Sequence, residues 1–189
     1  QDAALAPEGL ELADAAALPL VTLTGEQLVR RGTAIEQGQT ILVSGAVGGV
    51  GRSAVWTAKK AGARVIAGVK KKQMEEARGL GADEVIALDD ASALEKLDAV
   101  DAVADTVGGK TAETLLGKVK QGGSFGSVLG PPANAAMYPA VKVTPVMAVP
   151  DACALRAMAE DVAAKRFVIP VDRMIPLKDA GEGQAAAEK

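Results

Sequence analysis

The residues in this chain whose types and spacing could do chemistry are glycines and lysines. Gly45-Ala46-Val47-Gly48-Gly49-Val50-Gly51 follows the apolar run Thr40-Ile41-Leu42-Val43-Ser44 and opens into Arg52-Ser53-Ala54-Val55-Trp56-Thr57-Ala58-Lys59-Lys60. A strand, a tight glycine turn and a helix in that order hold the pyrophosphate of a dinucleotide. Small residues let the phosphates reach the backbone, and the unpaired N–H groups at the helix start meet their negative charge.

The loop has two parses. Ala46-x-Gly48-x-x-Gly51 is a dinucleotide fingerprint with alanine in the first glycine place, and Gly45-x-x-x-Gly49-x-Gly51 is the spacing of short-chain dehydrogenases. Tyr138-x-x-x-Lys142 would give the second parse its proton-transfer pair. Pro139 follows that tyrosine, however, and 141–149 alternates like a strand, so the two need not share a helical face. The two motifs also lie closer together than that family places them. The chain has Asp105-Thr106-Val107-Gly108-Gly109 where that family has Asn-Asn-Ala-Gly. The first parse is therefore adopted.

An NAD site places an acid about 20 residues beyond the glycines, at the end of the second strand. In Ala63-Arg64-Val65-Ile66-Ala67-Gly68-Val69-Lys70-Lys71-Lys72 the expected place is held by Gly68, and three lysines follow. Cations in the first turn of a helix oppose its dipole by roughly 0.3–1 kcal/mol each, so three of them call for an anion. The 2′-phosphate of NADP supplies one. Lys70 and Lys71 are favoured over Lys72 for the contact.

These residues need a scaffold, and the pattern predicts one. Strands are expected at 40–44, 64–69, 84–88, 98–105, 123–129 and 140–149, and helices at 50–61, 71–80, 92–97, 110–118 and 151–165. Alternation of this kind is an α/β fold, a doubly wound parallel six-stranded Rossmann sheet with helices on both faces. Residues 1–31 form a lead-in and linker helix: Asp14 caps a short turn, Pro19 takes the first helical position and Gly32 stops the helix. The dinucleotide-binding domain is 32–166. In 167–189, Phe167-Val168-Ile169-Pro170-Val171 is strand-like and a helical Ala-rich tail follows.

Composition narrows the classes further. A chain of 189 residues supports one domain with a full core, and with only 2% aromatic residues that core must be aliphatic. A net charge of −3 gives no reason to expect nucleic acid or an anionic membrane as partner. With no histidine and one cysteine, the chain has neither a histidine catalyst nor a cysteine/histidine zinc site of its own. The apolar stretch Leu12 to Leu23 contains Asp14 and lacks a basic leader, so it is not read as a signal segment. No run reaches the ~20 apolar residues of a membrane span, and a cytoplasmic location is the default expectation. Cys153 and Trp56 are read as packing residues. Val141, Val143, Met147 and Val149 share one face of an edge strand, where Pro145 is tolerated.

Gly45 to Gly51, Gly79-Leu80-Gly81-Ala82-Asp83-Glu84-Val85-Ile86 and Asp105 to Gly109, in this order, resemble the cofactor domain of medium-chain dehydrogenases/reductases, on the zinc-independent quinone oxidoreductase branch. The resemblance covers about residues 12–189. It implies a two-domain protein whose GroES-like catalytic domain precedes this chain, with 167–189 returning to it. The chain then reads as an excised cofactor-binding domain, with no catalytic side chain of its own and inactive by itself. Carried over, Gly45, Ala46, Gly48, Gly49, Val50 and Gly51 line the pyrophosphate. Gly68, Lys70, Lys71 and Lys72 surround the adenosine 2′-phosphate, Thr106 stands near the adenine-side ribose, and Leu129-Gly130 approaches the nicotinamide. Two departures stand out: Leu88 replaces an aromatic residue of many relatives, and the stretch Gly122 to Gly130 is one residue longer. The implied activity is hydride transfer from NADPH to a quinone, enone or similar acceptor, in a homodimer joined along 140–149. A zinc-dependent alcohol dehydrogenase with its ligands in the missing domain, or a non-catalytic NADP-binding module, remain as alternatives.

Overall fold

The computed structural model describes residues 3–187. Its centre is a six-stranded, all-parallel sheet of order β3-β2-β1-β4-β5-β6. The strands are β1 (Thr40–Ser44), β2 (Arg64–Val69), β3 (Glu84–Ala87), β4 (Val100–Asp105), β5 (Val119–Ser127) and β6 (Lys142–Pro145). Helices α1 (Leu12–Ala16), α2 (Leu18–Gln27), α3 (Gly49–Lys60), α4 (Met74–Arg78), α5 (Ala91–Lys96), α6 (Gly109–Leu116), α7 (Ala152–Ala163) and α8 (Ala180–Ala187) complete it. This is the doubly wound α/β architecture expected from the alternating pattern.

Both faces of the sheet are covered, so the middles of its central strands are mostly apolar, with polar residues at their ends. Ile41 and Val43 point into one core with Val55 and Ala58 of α3, while Leu42 between them points into the other with Leu115, Leu116 and Phe125. The period of two thus feeds two cores from one strand. Two acids clip the starts of central strands: the Thr40 amide donates to Asp101 Oδ2 at 2.8 Å and the Val65 amide to Asp83 Oδ2 at 2.7 Å. Hydrogen bonds from Lys120 and Lys59, with those from the two amides, hold both carboxyls below their ordinary pKa. Among the described residues no helix is long and apolar enough to cross a membrane.

The ends of the chain depart from expectation. Asp14 lies inside α1 and caps nothing, and Pro19 is the second residue of α2. Gly32 does not stop the linker helix, which passes through it in a π-helical turn, Leu28–Thr33, and ends at left-handed Ala34. Gly32 serves packing instead: a Cβ there would lie 2.8 Å from Val146 Cγ2 and 3.2 Å from Gly126 Cα. The edge strand is shorter than 140–149. After Pro145 the chain leaves the sheet, and the buried amide of Gln27 takes over, donating to the Val149 carbonyl at 2.7 Å and accepting its N–H at 3.0 Å. Val141 and Val143 pack into the core, whereas Met147 is exposed. Cys153 is exposed, not buried.

Phe167 to Val171 forms no strand; no described strand pairs with it, and an unpaired strand leaves its backbone groups without partners. The segment is anchored by side chains. Phe167 stacks on Trp56 with ring centroids 5.4 Å apart. Buried Asp161 accepts from Trp56 Nε1 at 2.7 Å, Lys60 Nζ at 2.8 Å and Arg166 Nε at 2.7 Å. Burial pushes the Asp161 pKa up, but the three hydrogen bonds together outweigh it and leave the pKa lowered. A folded pKa below the unfolded value of 3.8 means stability that is present above that pH and lost as pH falls through the folded value. Asp161→Asn is therefore expected to be less stable at neutral pH by about 1–3 kcal/mol, the half-exposed cations regaining some solvation. The deficit should narrow below the unfolded value of 3.8 and close only as pH falls through the lowered folded value. Urea unfolding followed by fluorescence of Trp56, the sole tryptophan of the chain, measures the gap at each pH.

Candidate dinucleotide site

The strand order reverses between β1 and β4, and there the C-terminal ends of the strands open a crevice for a ligand. The glycine loop lies at that point. Gly45 turns the chain with φ +68, and its amide and that of Ala46 donate to the Gly68 carbonyl at 2.8 and 3.2 Å. Gly48, in extended conformation, precedes α3, and its amide donates to the Gly45 carbonyl at 3.0 Å. Gly49, Val50 and Gly51 form the first turn of α3, where a helix offers its amides no internal acceptor and the dipole favours an anion.

The small residues have different reasons to be small. A Cβ at Gly51 would collide with the Gly45 carbonyl oxygen, so Gly51 lets α3 sit against the loop. One at Gly49 would lie 3.0 Å from Val21 Cγ1, so Gly49 serves the contact with α2. One at Gly48 has the Gly45 oxygen at 3.4 Å as its nearest neighbour, which leaves that side of the loop open to a ligand. Ala46 is fully buried, its methyl in the core and its amide on the Gly68 carbonyl, so the structure gives it no open face for the pyrophosphate contact expected of it. Arg52, not anticipated from sequence, braces the loop: Nε donates to the Val47 carbonyl at 2.9 Å while Nη2 pairs with Glu76 on α4.

At the end of β2, Gly68 is buried, and a Cβ there would stand 2.9 Å from Leu88 Cδ1. Leu88 fills the space an acid at 68 would need. Lys70, Lys71 and Lys72 follow, all exposed and in no ion pair among the described residues. The local dipole is weaker than the charge run suggested. Lys71–Gln73 is a 3₁₀ turn, α4 has five residues, and Glu75 and Glu76 occupy its first turn. Three exposed cations after β2 with no ion pair among the described residues still suit a phosphate.

Beyond β4 a buried polar network joins the loops. Asp105 is fully buried, and its Oδ1 accepts from Ser44 Oγ at 2.8 Å, Val107 N at 3.2 Å and Gly108 N at 3.1 Å. Its Oδ2 accepts from Ser127 Oγ at 2.8 Å. Thr106 donates its hydroxyl to the Ser44 carbonyl at 2.7 Å and abuts Gly45. It follows the end of β4, across β1 from the lysines, rather than beside them. Leu129 is exposed and covers Gly108, and Gly130 has φ +92 with open space around it. The sequence signal for this network was available: Ser44, Asp105 and Ser127 are polar residues closing apolar strands. Tyr138 and Lys142 lie on a 3₁₀ turn's end and on β6, so no helix pairs them. No group of three or more metal-ligating side chains forms among the described residues.

This arrangement can hold a dinucleotide, its pyrophosphate on the glycine loop and its two halves over β2 and over β4–β5. Comparisons with known proteins place the chain in a family. A zinc-binding dehydrogenase family model matches residues 80–189. The chain is 36% identical to the mouse mitochondrial NAD(P)H oxidoreductase RTN4IP1 over 122 residues, 61% of this chain and 31% of the relative. It is 37% identical to tomato 2-methylene-furan-3-one reductase over 124 residues, 64% of this chain and 31% of the relative. The quinone oxidoreductase of Coxiella burnetii superposes with a TM-score of 0.84 at 25% identity, over 97% of this chain and 59% of that one. The chain thus spans about a third of these curated relatives and somewhat over half of the solved structure. It belongs to the zinc-binding dehydrogenase family within the medium-chain dehydrogenase/reductase superfamily, on the quinone oxidoreductase-like branch, and corresponds to its NAD(P)-binding domain.

Proposed function

We propose that this domain binds NADPH for an oxidoreductase that delivers hydride to a quinone, an enone or a similar conjugated acceptor. The observation that carries the cofactor choice is the end of β2. Gly68 is walled in by Leu88, so no acid receives the ribose hydroxyls there, and three unpaired lysines stand next to it. The acceptor class rests on the relatives, whose names include a quinone oxidoreductase and a furanone reductase.

When bound, the cofactor supplies the hydride from C4 of its nicotinamide. The residues of this chain bind and orient. Amides at the start of α3 take the pyrophosphate, Lys70 and Lys71 take the 2′-phosphate, and the loops after β4 and β5 set the position of the nicotinamide. Titration of the chain with NADPH and NADH tests the reading, using energy transfer from Trp56 to the reduced nicotinamide. Tighter binding of NADPH is the expected result, and equal or tighter NADH binding overturns the assignment. The acceptor is tested on the protein as its gene encodes it, by NADPH oxidation with 1,4-quinones and with conjugated enones.

A further inference from the structure

We propose that Asp105 is a positioning residue for the nicotinamide half of the cofactor, acting by tying the loops after β4 and β5 to one buried carboxylate. The inference rests on the dinucleotide reading above.

Burying an anion without a lysine or arginine beside it is unfavourable unless hydrogen bonds replace water fully. Asp105 has no cation among its partners; it has four hydrogen bonds, from two hydroxyls and two backbone amides. Three strands that needed only to cohere could do so with apolar residues, as they do one layer below at Val43 and Ala104. The carboxylate does something apolar packing cannot. Being acceptor-only when ionised, it obliges Ser44 and Ser127 to donate their hydroxyl protons inward. Each hydroxyl oxygen is then free to accept an amide: Thr106 N to Ser44 Oγ at 3.0 Å and Leu129 N to Ser127 Oγ at 3.1 Å. With Val107 and Gly108 bonded directly, four loop amides are set by one carboxylate.

The network's place in the sheet decides which half of the ligand it serves. The adenosine half belongs to the end of β2, where the acid or its substitute is read. In the order β3-β2-β1-β4-β5-β6, the loops held by Asp105 lie on the other side of β1. They must carry the other half of the dinucleotide.

The test compares NADPH with 2′,5′-ADP, which keeps the adenosine half and lacks the nicotinamide. Asp105→Asn keeps the shape but offers one acceptor oxygen in place of two and brings donors that confront the hydroxyls and amides. In the full chain it is expected to raise the NADPH Kd about tenfold and to change the 2′,5′-ADP Kd less than twofold. Ser127→Ala, which removes the bond to Asp105 Oδ2 and with it the Leu129 link but leaves the Oδ1 bonds in place, is expected to give the same split at about threefold, and it carries the test if Asp105→Asn does not fold. A loss caused by general destabilisation would weaken both ligands alike. Equal losses, or unchanged NADPH affinity in both variants, overturn the inference. A parent chain that binds neither ligand overturns the dinucleotide reading itself, and the inference with it.

Discussion

Gly51→Ala is expected to lower the melting temperature by about 4–10 °C and to remove dinucleotide binding. The added methyl would collide with the Gly45 carbonyl oxygen and lie 2.8 Å from Ala46 Cα. Those atoms are backbone, and the loop cannot move away because the Gly45 and Ala46 amides are held by the Gly68 carbonyl. Helix α3 must therefore shift outward, loosening Ala54, Val55 and Ala58 in the core. Overpacking of this kind costs about 1–3 kcal/mol and more where backbone is the obstacle. The same shift moves the amides of the first turn away from the pyrophosphate. Gly48→Ala is the companion variant. Its backbone is ordinary and its nearest neighbour is 3.4 Å away, so the fold should melt like the parent while NADPH binding falls. Thermal melting and titration of both variants separate the packing glycine from the approach glycine. Parent-like melting of Gly51→Ala would refute the packing role.

The double variant Lys70→Ala/Lys71→Ala is expected to raise the NADPH Kd by about ten- to a hundredfold and to leave the NADH Kd within about twofold. Both lysines are exposed and make no ion pair among the described residues, so the fold has little to lose with them. Two charge-assisted contacts to a solvent-facing phosphate are together worth roughly 1.5–3 kcal/mol after screening. Raising the salt concentration should shrink the difference between parent and variant. Equal losses for the two cofactors would rule out a 2′-phosphate contact at these positions.

Much of the candidate site was legible because its parts are local. Within seven consecutive residues, Gly45 to Gly51, the chain encodes a turn, an open approach and a helix start, which depend on the backbone freedom of Gly45 and on the side chains that Gly48 and Gly51 lack. Strand periodicity and glycine punctuation were enough for the α/β class. Boundaries were less legible at both ends. Gly32 carries the same letter as a helix stop, yet its role is set by Gly126 and Val146, which are far away in sequence. The strand expected at 167–171 had the right composition, but a strand forms only where a partner stands beside it.

By itself, then, the amino-acid sequence determined the class of fold, the glycine loop between a strand and a helix, and the absence of an acid at Gly68 with lysines following. Each is a property of a short stretch, dictated by side-chain volume, charge and permitted backbone angles. Only the tertiary structure decided which distant groups meet. It brought Asp105 onto Ser44 and Ser127, 61 and 22 residues away, and Gln27 onto Val149, 122 residues away. It also turned Cys153 outward and placed Leu88 over Gly68. Those meetings depend on strand order and register, which arise when the two apolar cores close on either side of the sheet.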